Sequence, residues 1–281
     1  MRYWKTVLAA FAAVLVLTGC TATGDPAAPP VASSAPAGPK PGVPASIAAL
    51  GDSITRGVNA CAKLGTCDEV SWSTGARPWS HASRLQALRP DAVVRAANYA
   101  VPGAVAADLP AQAAQAAPTR PGYVTVLIGA NDACQATPTE PGVLGERVGE
   151  ALRLMVEAEP GAKILVASVP DLYRLWEVAH GEERARWVWS LGLCPGLLAD
   201  AGDEGAQAAQ RRQRVAEVVD GYNRALEEAC ARFSGNCRFD GGAVHEAGLE
   251  LSHLSTIDFF HPGEAGQEAL AEATWRAGYG W

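Results

Sequence analysis

The chain has 281 residues, 48% of them hydrophobic and 19% charged, with a formal net charge of −7. An acidic body has no electrostatic reason to seek nucleic acid or an anionic bilayer surface, so no nucleic-acid partner is expected. The length is ample for one α/β domain with a well-filled core, and no internal repeat divides it.

At the N-terminus Arg2 and Lys5 precede an uninterrupted apolar run from Val7 to Leu17, followed by Thr18-Gly19-Cys20. Eleven apolar residues are too few to span a bilayer, which takes about 20, but they suit the apolar region of an export signal. Residues 1–19 are therefore expected to be a signal peptide. The small pair before Cys20 resembles the lipobox of bacterial lipoproteins, which implies cleavage before Cys20 and a lipid on its sulfur; an ordinary signal peptide cut a few residues later is the alternative. Residues 20–45 hold seven prolines among alanine, glycine and serine, too little large apolar surface to offset the entropy of ordering, and read as a tether. Residues 46–281 are the expected folded domain. Membrane association would then come from the anchor at Cys20, and the protein is expected outside the cytoplasm, held at the cell surface or secreted.

Short apolar runs rich in β-branched residues follow at Ser46 to Leu50, Ala92 to Ala97, Tyr123 to Ile128 and Lys163 to Val169, with a weaker one at Cys237 to Phe239. Continuous apolar strands separated by crossovers suit a parallel sheet covered on both faces. Between them helices are visible, most clearly over residues 204–233, where Val215, Val218, Tyr222, Leu226, Cys230 and Phe233 recur at spacings of three and four. A terminal helix is expected from about Pro262, whose fixed φ suits a first helical position, to about Trp275. One segment breaks the alternation. Residues 172–201 carry Tyr173, Trp176, Trp187 and Trp189 with several leucines, and read either as core-filling helices or as a lid or acyl-binding wall.

Four blocks carry chemistry. Leu50-Gly51-Asp52-Ser53 places a serine where the first strand hands over to a helix; Asn98-Tyr99-Ala100-Val101-Pro102-Gly103, Gly129-Ala130-Asn131-Asp132 and Asp258-Phe259-Phe260-His261-Pro262 follow in order. Gly-Asp-Ser alone is a common turn tripeptide, and Asn-Asp alone a common loop or cap. A serine hydroxyl is a poor nucleophile until a base takes its proton, and His261 is the candidate base. Asp258, three residues earlier, can accept a hydrogen bond from the other ring nitrogen. A place just before Pro262 would set His261 at a helix N-terminus.

Together the four blocks resemble those of the SGNH (GDSL) hydrolase superfamily, and the resemblance covers the chain from about Ile47 onward. It implies a three-layer α/β/α flavodoxin-like fold with a five-stranded parallel sheet, and a serine hydrolase of carboxylic esters that needs neither cofactor nor metal. It further implies Ser53, Asp258 and His261 as catalytic residues, and an oxyanion hole built from the Ser53 and Gly103 backbone N–H groups and the Asn131 amide. The wording of the blocks is similar to the secreted esterase, lipase and phospholipase B-like branch. A deacetylase of surface glycans would present the same blocks. A lipoprotein that binds glycan or lipid without turnover would instead show a damaged block, and none is damaged. A monomer is expected.

Beyond Cys20 six cysteines remain: Cys61, Cys67, Cys134, Cys194, Cys230 and Cys237. An even number in an exported chain suggests disulfides, although sequence alone permits many connectivities. Two close pairs would each staple a local loop and leave Cys134 with Cys194, a pattern similar to the three sequential bridges of several secreted SGNH lipases. No Cys-x-x-Cys pair and no neighbouring histidine support zinc. Asp52 and Asp132 read as turn-capping carboxylates, His253 as a surface histidine, and His81, His180 and His245 show no partner pattern. The chain has no Gly-x-Ser-x-Gly elbow, no His-Glu-x-x-His and no glycine-rich phosphate loop.

Overall fold

The computed structural model describes residues 42–281; the expected signal peptide, Cys20 and most of the tether lie outside the described residues. Five strands, β1 (Ser46–Gly51), β2 (Arg95–Asn98), β3 (Tyr123–Leu127), β4 (Lys163–Val166) and β5 (Cys237–Phe239), form one sheet in the order β2-β1-β3-β4-β5. Every neighbouring pair is parallel. The order is that of flavodoxin-like sheets, and the direction of winding reverses between β1 and β3, the point beyond whose strand ends such sheets bind ligands.

The helices are α1 (His81–Ala87), α2 (Leu109–Ala116), α3 (Ala130–Cys134), α4 (Pro141–Ala158), α5 (Leu172–Ala179), α6 (Glu183–Trp189), α7 (Pro195–Leu198), α8 (Ala206–Ala231) and α9 (Glu264–Ala277). Because side chains alternate along a strand, each strand serves two cores. Ala48, Leu50, Val124, Val126, Ile164 and Val166 face a large core shared with Ala113 of α2, Leu144 and Val148 of α4, and Val219 and Leu226 of α8. Their neighbours Ile47, Tyr123 and Leu165 face a smaller one with Ala82 and Leu85 of α1 and Trp275 of α9. Three layers result. Val43 joins the smaller core, so packing begins three residues ahead of β1.

Four expectations need correction. The chain after Ser53 is a succession of turns rather than a helix, because Gly57 and Asn59 take positive φ values of 61° and 58°, which end a right-handed helix. Strand β2 begins at Arg95 rather than Ala92 and is half exposed, because it lies at the edge of the sheet. Strand β4 stops at Val166; further on, the Val169 N–H turns to the Asn223 side chain at 2.8 Å. Helix α9 starts at Glu264 because Pro262 is held in an isolated antiparallel bridge with Leu254, so His261 lies outside its first turn and no helix-dipole effect on that ring follows.

Disulfides join Cys61 to Cys67, Cys134 to Cys194 and Cys230 to Cys237. The long one ties the end of α3 to the start of α7. Residues 172–201 form α5, α6 and α7, and most of their apolar side chains are buried: Trp176 and Trp189 sit in the main core with Leu172, Leu175, Leu197 and Leu198. Trp187 and Leu191 do the opposite, with 66% and 71% exposure. No helix among the described residues is long and apolar enough to cross a membrane.

Candidate active site

Ser53 follows β1 and Asn131 stands in the first turn of α3, which follows β3, so both lie at the reversal point of the sheet. The approach to Ser53 is clamped by two buried glutamines. Gln112 of α2 accepts from Gly51 N–H and donates to Gly51 C=O, both at 2.8 Å, while the same carbonyl also accepts from Val101 N–H at 3.1 Å. Gln267 of α9 donates to Ile54 C=O at 2.7 Å and accepts from Trp72 N–H at 2.9 Å. Gly51 itself has a φ of +148°, and a Cβ there would stand 2.3 Å from the Leu127 oxygen, so only glycine lets β1 and β3 close together at the reversal point.

Ser53 Oγ lies 2.8 Å from His261 Nε2, and His261 Nδ1 lies 2.6 Å from Asp258 Oδ2. The three residues form one continuous hydrogen-bonded line across 208 residues of sequence. Asp258 Oδ1 accepts from the backbone N–H groups of Phe260 and His261, each at 3.0 Å, and the indole N–H of Trp189 donates to the Asp258 carbonyl at 3.1 Å. Phe259, between them, takes a φ of 52°; this left-handed kink in a bulky residue lets carboxylate and imidazole face each other within four residues. Burial alone would raise the Asp258 carboxyl, but the hydrogen bond and charge of His261, the Asn59 amide and the Phe260 N–H together hold it below its ordinary value.

The three expected oxyanion donors are the Ser53 and Gly103 backbone N–H groups and the Asn131 amide. Neither the Ser53 nor the Gly103 N–H donates to another group among the described residues. The Asn131 amide gives one hydrogen to Ala104 C=O at 2.9 Å and keeps the second free. Gly103 has a φ of +82° with open space where a Cβ would be, so it is the backbone conformation and not packing that favours glycine there.

The flanking carboxylates do more than cap turns. Asp52 is fully buried; Oδ1 accepts from Ile54 N–H at 2.9 Å, and Oδ2 has no partner among the described residues. Burial pushes its carboxyl up to about 7, against the lowering by the Ile54 N–H and His261. Asp132 Oδ2 accepts from Ala106 N–H at 2.9 Å and so ties the segment after Gly103 to α3; burial raises its carboxyl too. His253 Nδ1 accepts from Glu250 N–H at 2.9 Å at the start of a short turn. His81 is no bystander: it is fully buried, with Nδ1 2.9 Å from the Tyr123 hydroxyl and Nε2 2.8 Å from Thr274 Oγ1. His180 and His245 sit 3.7 Å from Glu204 and Asp220, away from Ser53. Among the described residues the one grouping with metal-ligand spacing is Cys61, Cys67 and Glu69, whose two sulfurs are bonded to each other.

Residues 49–269 match the model of the GDSL-like Lipase/Acylhydrolase family. The chain belongs to that family. It is thus a GDSL-type hydrolase of carboxylic esters. The solved structures similar to it include LAE5, an alpha/beta hydrolase enzyme from the metagenome of Lake Arreo, Spain, at 19% identity over 83% of this chain and 94% of that one, with a TM-score of 0.51. Another is phospholipase A1 from Streptomyces albidoflavus NA297, at 20% identity over 83% of this chain and 99% of that one, with a TM-score of 0.52. At these identities the likeness is one of fold. No curated protein sequence matches the chain. Within the GDSL fold, the clamps from Gln112 and Gln267 are features that the four blocks do not announce, since each bridges elements far apart in sequence.

Proposed function

We propose that this protein is an exported esterase or lipase, anchored by a lipid on Cys20, that cleaves carboxylic esters through an acyl-enzyme on Ser53 without metal or cofactor. The single observation that carries the reading is the unbroken line from Ser53 Oγ to His261 Nε2 at 2.8 Å and from His261 Nδ1 to Asp258 Oδ2 at 2.6 Å. As Ser53 attacks the ester carbon, His261 Nε2 takes its proton, and Asp258 stabilises the imidazolium. The former carbonyl oxygen becomes an oxyanion, met by the N–H groups of Ser53 and Gly103 and the Asn131 amide. The proton then passes to the leaving alkoxide. Water, activated by the same imidazole, releases the acid from Ser53.

For substrate class, Trp187 in α6 and Leu191 just after it are 66% and 71% exposed, in the segment that also carries Trp189, whose indole donates to the Asp258 carbonyl. Val101, two residues before Gly103, is 51% exposed. Exposed apolar side chains in these two segments suit contact with an acyl chain, and on that ground we favour the lipase and phospholipase-like branch over deacetylation of glycans. The test pairs a fluorophosphonate trap with a series of p-nitrophenyl esters from acetate to palmitate. Mass spectrometry should place the phosphonate on Ser53, and kcat/KM should rise with chain length. Labelling elsewhere, or no hydrolysis of any ester, would overturn the reading, and preference for acetate would favour a deacetylase. Radiolabelled fatty acid should enter the full chain and not its Cys20→Ser variant; incorporation into neither refutes the anchor.

Asn131→Ala should lower kcat by about 10²- to 10³-fold with little change in KM, because its free amide hydrogen acts chiefly on the transition state. Steady-state kinetics decide this, and a pure rise in KM would contradict the role.

A further inference from the structure

Asn59 lies outside all four blocks, yet it touches the carboxylate at the end of the hydrogen-bonded line. It is 9% exposed and takes a left-handed φ of 58°. Its N–H donates to Gly65 C=O at 2.8 Å, and its Oδ1 accepts from Gly65 N–H at 2.9 Å. A backbone N–H can only donate, so this contact fixes which end of the amide is oxygen. The other end, Nδ2, donates to Asp258 Oδ2 at 2.7 Å. The Asn59 carbonyl accepts from Ser255 Oγ at 2.7 Å, and Ser255 N–H donates to His261 C=O at 2.8 Å. Asn59 is thus knit to the loop that carries both Asp258 and His261, while the disulfide from Cys61 to Cys67 closes the short loop that presents Gly65.

We propose that Asn59 is a positioning residue of the ester-cleaving relay: its amide fixes the Asp258 oxygen that receives the imidazole N–H, and the Cys61–Cys67 loop holds that amide in place. The inference rests on Ser53, His261 and Asp258 being that relay. An ionised carboxylate can accept about four hydrogen bonds. Here Oδ1 takes the Phe260 and His261 backbone N–H groups, and Oδ2 takes the imidazole and Asn59. Removing Asn59 leaves the working oxygen more basic and freer to turn. The proton shared by Asp258 and His261 is then held to higher pH. The other titratable or charged groups facing the pair are Asp52, whose carboxyl burial pushes up to about 7 and which is coupled to His261 through space, and Arg184, whose guanidinium lies 5.9 Å from the Phe259 ring.

Two variants separate this role from mere support of the loop. Asn59→Gly tolerates the left-handed backbone and removes the amide. Asn59→Asp keeps the shape and the acceptor for Gly65, but turns the donor that faces Asp258 into an oxygen. If the amide acts on Asp258, kcat at neutral pH falls in the order wild type, Gly, Asp, with KM within about twofold of wild type. The titration midpoint of the Asp258–His261 pair, read from the imidazole Nδ1 proton by NMR, should rise by roughly half to one pH unit in Asn59→Gly and further in Asn59→Asp. If Asn59 only supports its loop, the midpoint does not move in Asn59→Gly, the variant that adds no charge beside Asp258; that result overturns the proposal. Wild-type protein inactive on every ester would refute the relay instead, and the NMR titration, which needs no turnover, tells the two failures apart.

Discussion

Ser53→Ala should lower kcat for ester hydrolysis by about 10⁴-fold or more, and His261→Ala should do nearly the same. The expectation follows from one shared proton. Ser53 Oγ and His261 Nε2 are 2.8 Å apart, so the hydroxyl gains nucleophilicity only while the ring can accept from it, and the ring has no task until a hydroxyl attacks. Groups that act as a unit lose their effect together, so the double variant should be no slower than either single one. What should survive is the stabilisation proposed for the backbone N–H groups of residues 53 and 103 and the Asn131 amide, which neither substitution removes. Stability should barely change with Ser53→Ala, because among the described residues the only side-chain partner of its hydroxyl is His261. Steady-state kinetics on a short p-nitrophenyl ester, with thermal melts as control, check this. A Ser53→Ala variant within tenfold of wild type would place the nucleophile elsewhere.

The parts of the structure legible in the sequence are those with local causes. β1 and β3 are buried on both faces, so they read as unbroken apolar runs. Asp258 and His261 sit on one kinked loop, and their pairing needs only a spacing of three. What stayed hidden depends on contacts between distant elements. Gln112 reaches Gly51 across 61 residues, Gln267 reaches Ile54 across 213, and Asn59 reaches Asp258 across 199; a lone glutamine or asparagine carries no sign of such a partner. Edge strand β2 escaped sharp definition because Arg95 and Ala96 are exposed, so no alternation marks its start. The start of α9 slipped because Pro262 suits a helix's first turn equally well as the bridge with Leu254 that it makes.

Burial of one acid, Asp52, and one base, His81, gives the protein an unusual dependence of stability on pH. Asp52 is raised from 3.8 to about 7 when folded. Above pH 3.8 the unfolded chain ionises it while the folded chain does not, so stability is lost as pH rises toward 7. At about 1.36 kcal/mol per pH unit, the full loss is about 4 kcal/mol. His81 is lowered from 6.5 to about 3 by burial. Below pH 6.5 the unfolded chain takes up its proton and the folded chain does not, so stability is lost as pH falls toward 3, by about 5 kcal/mol in full. Between pH 3.8 and 6.5 the two slopes oppose each other, and these two groups together leave stability nearly flat. Asp52→Asn keeps an acceptor for the Ile54 N–H and removes the ionisation. Its stability should climb with pH across that window and exceed wild type at pH 8 by about 2 to 4 kcal/mol, the lower figure allowing for an amide hydrogen left without a partner. His81→Phe should show the mirror image, with stability falling from pH 4 to 7 and a further loss at all pH values, because the Tyr123 hydroxyl loses its partner. Urea unfolding of the three proteins at pH 4, 5.5, 7 and 8 measures both slopes. Parallel curves for wild type and Asp52→Asn would mean that Asp52 is ionised in the folded protein at neutral pH, with a negative charge already seated beside the Ser53 turn.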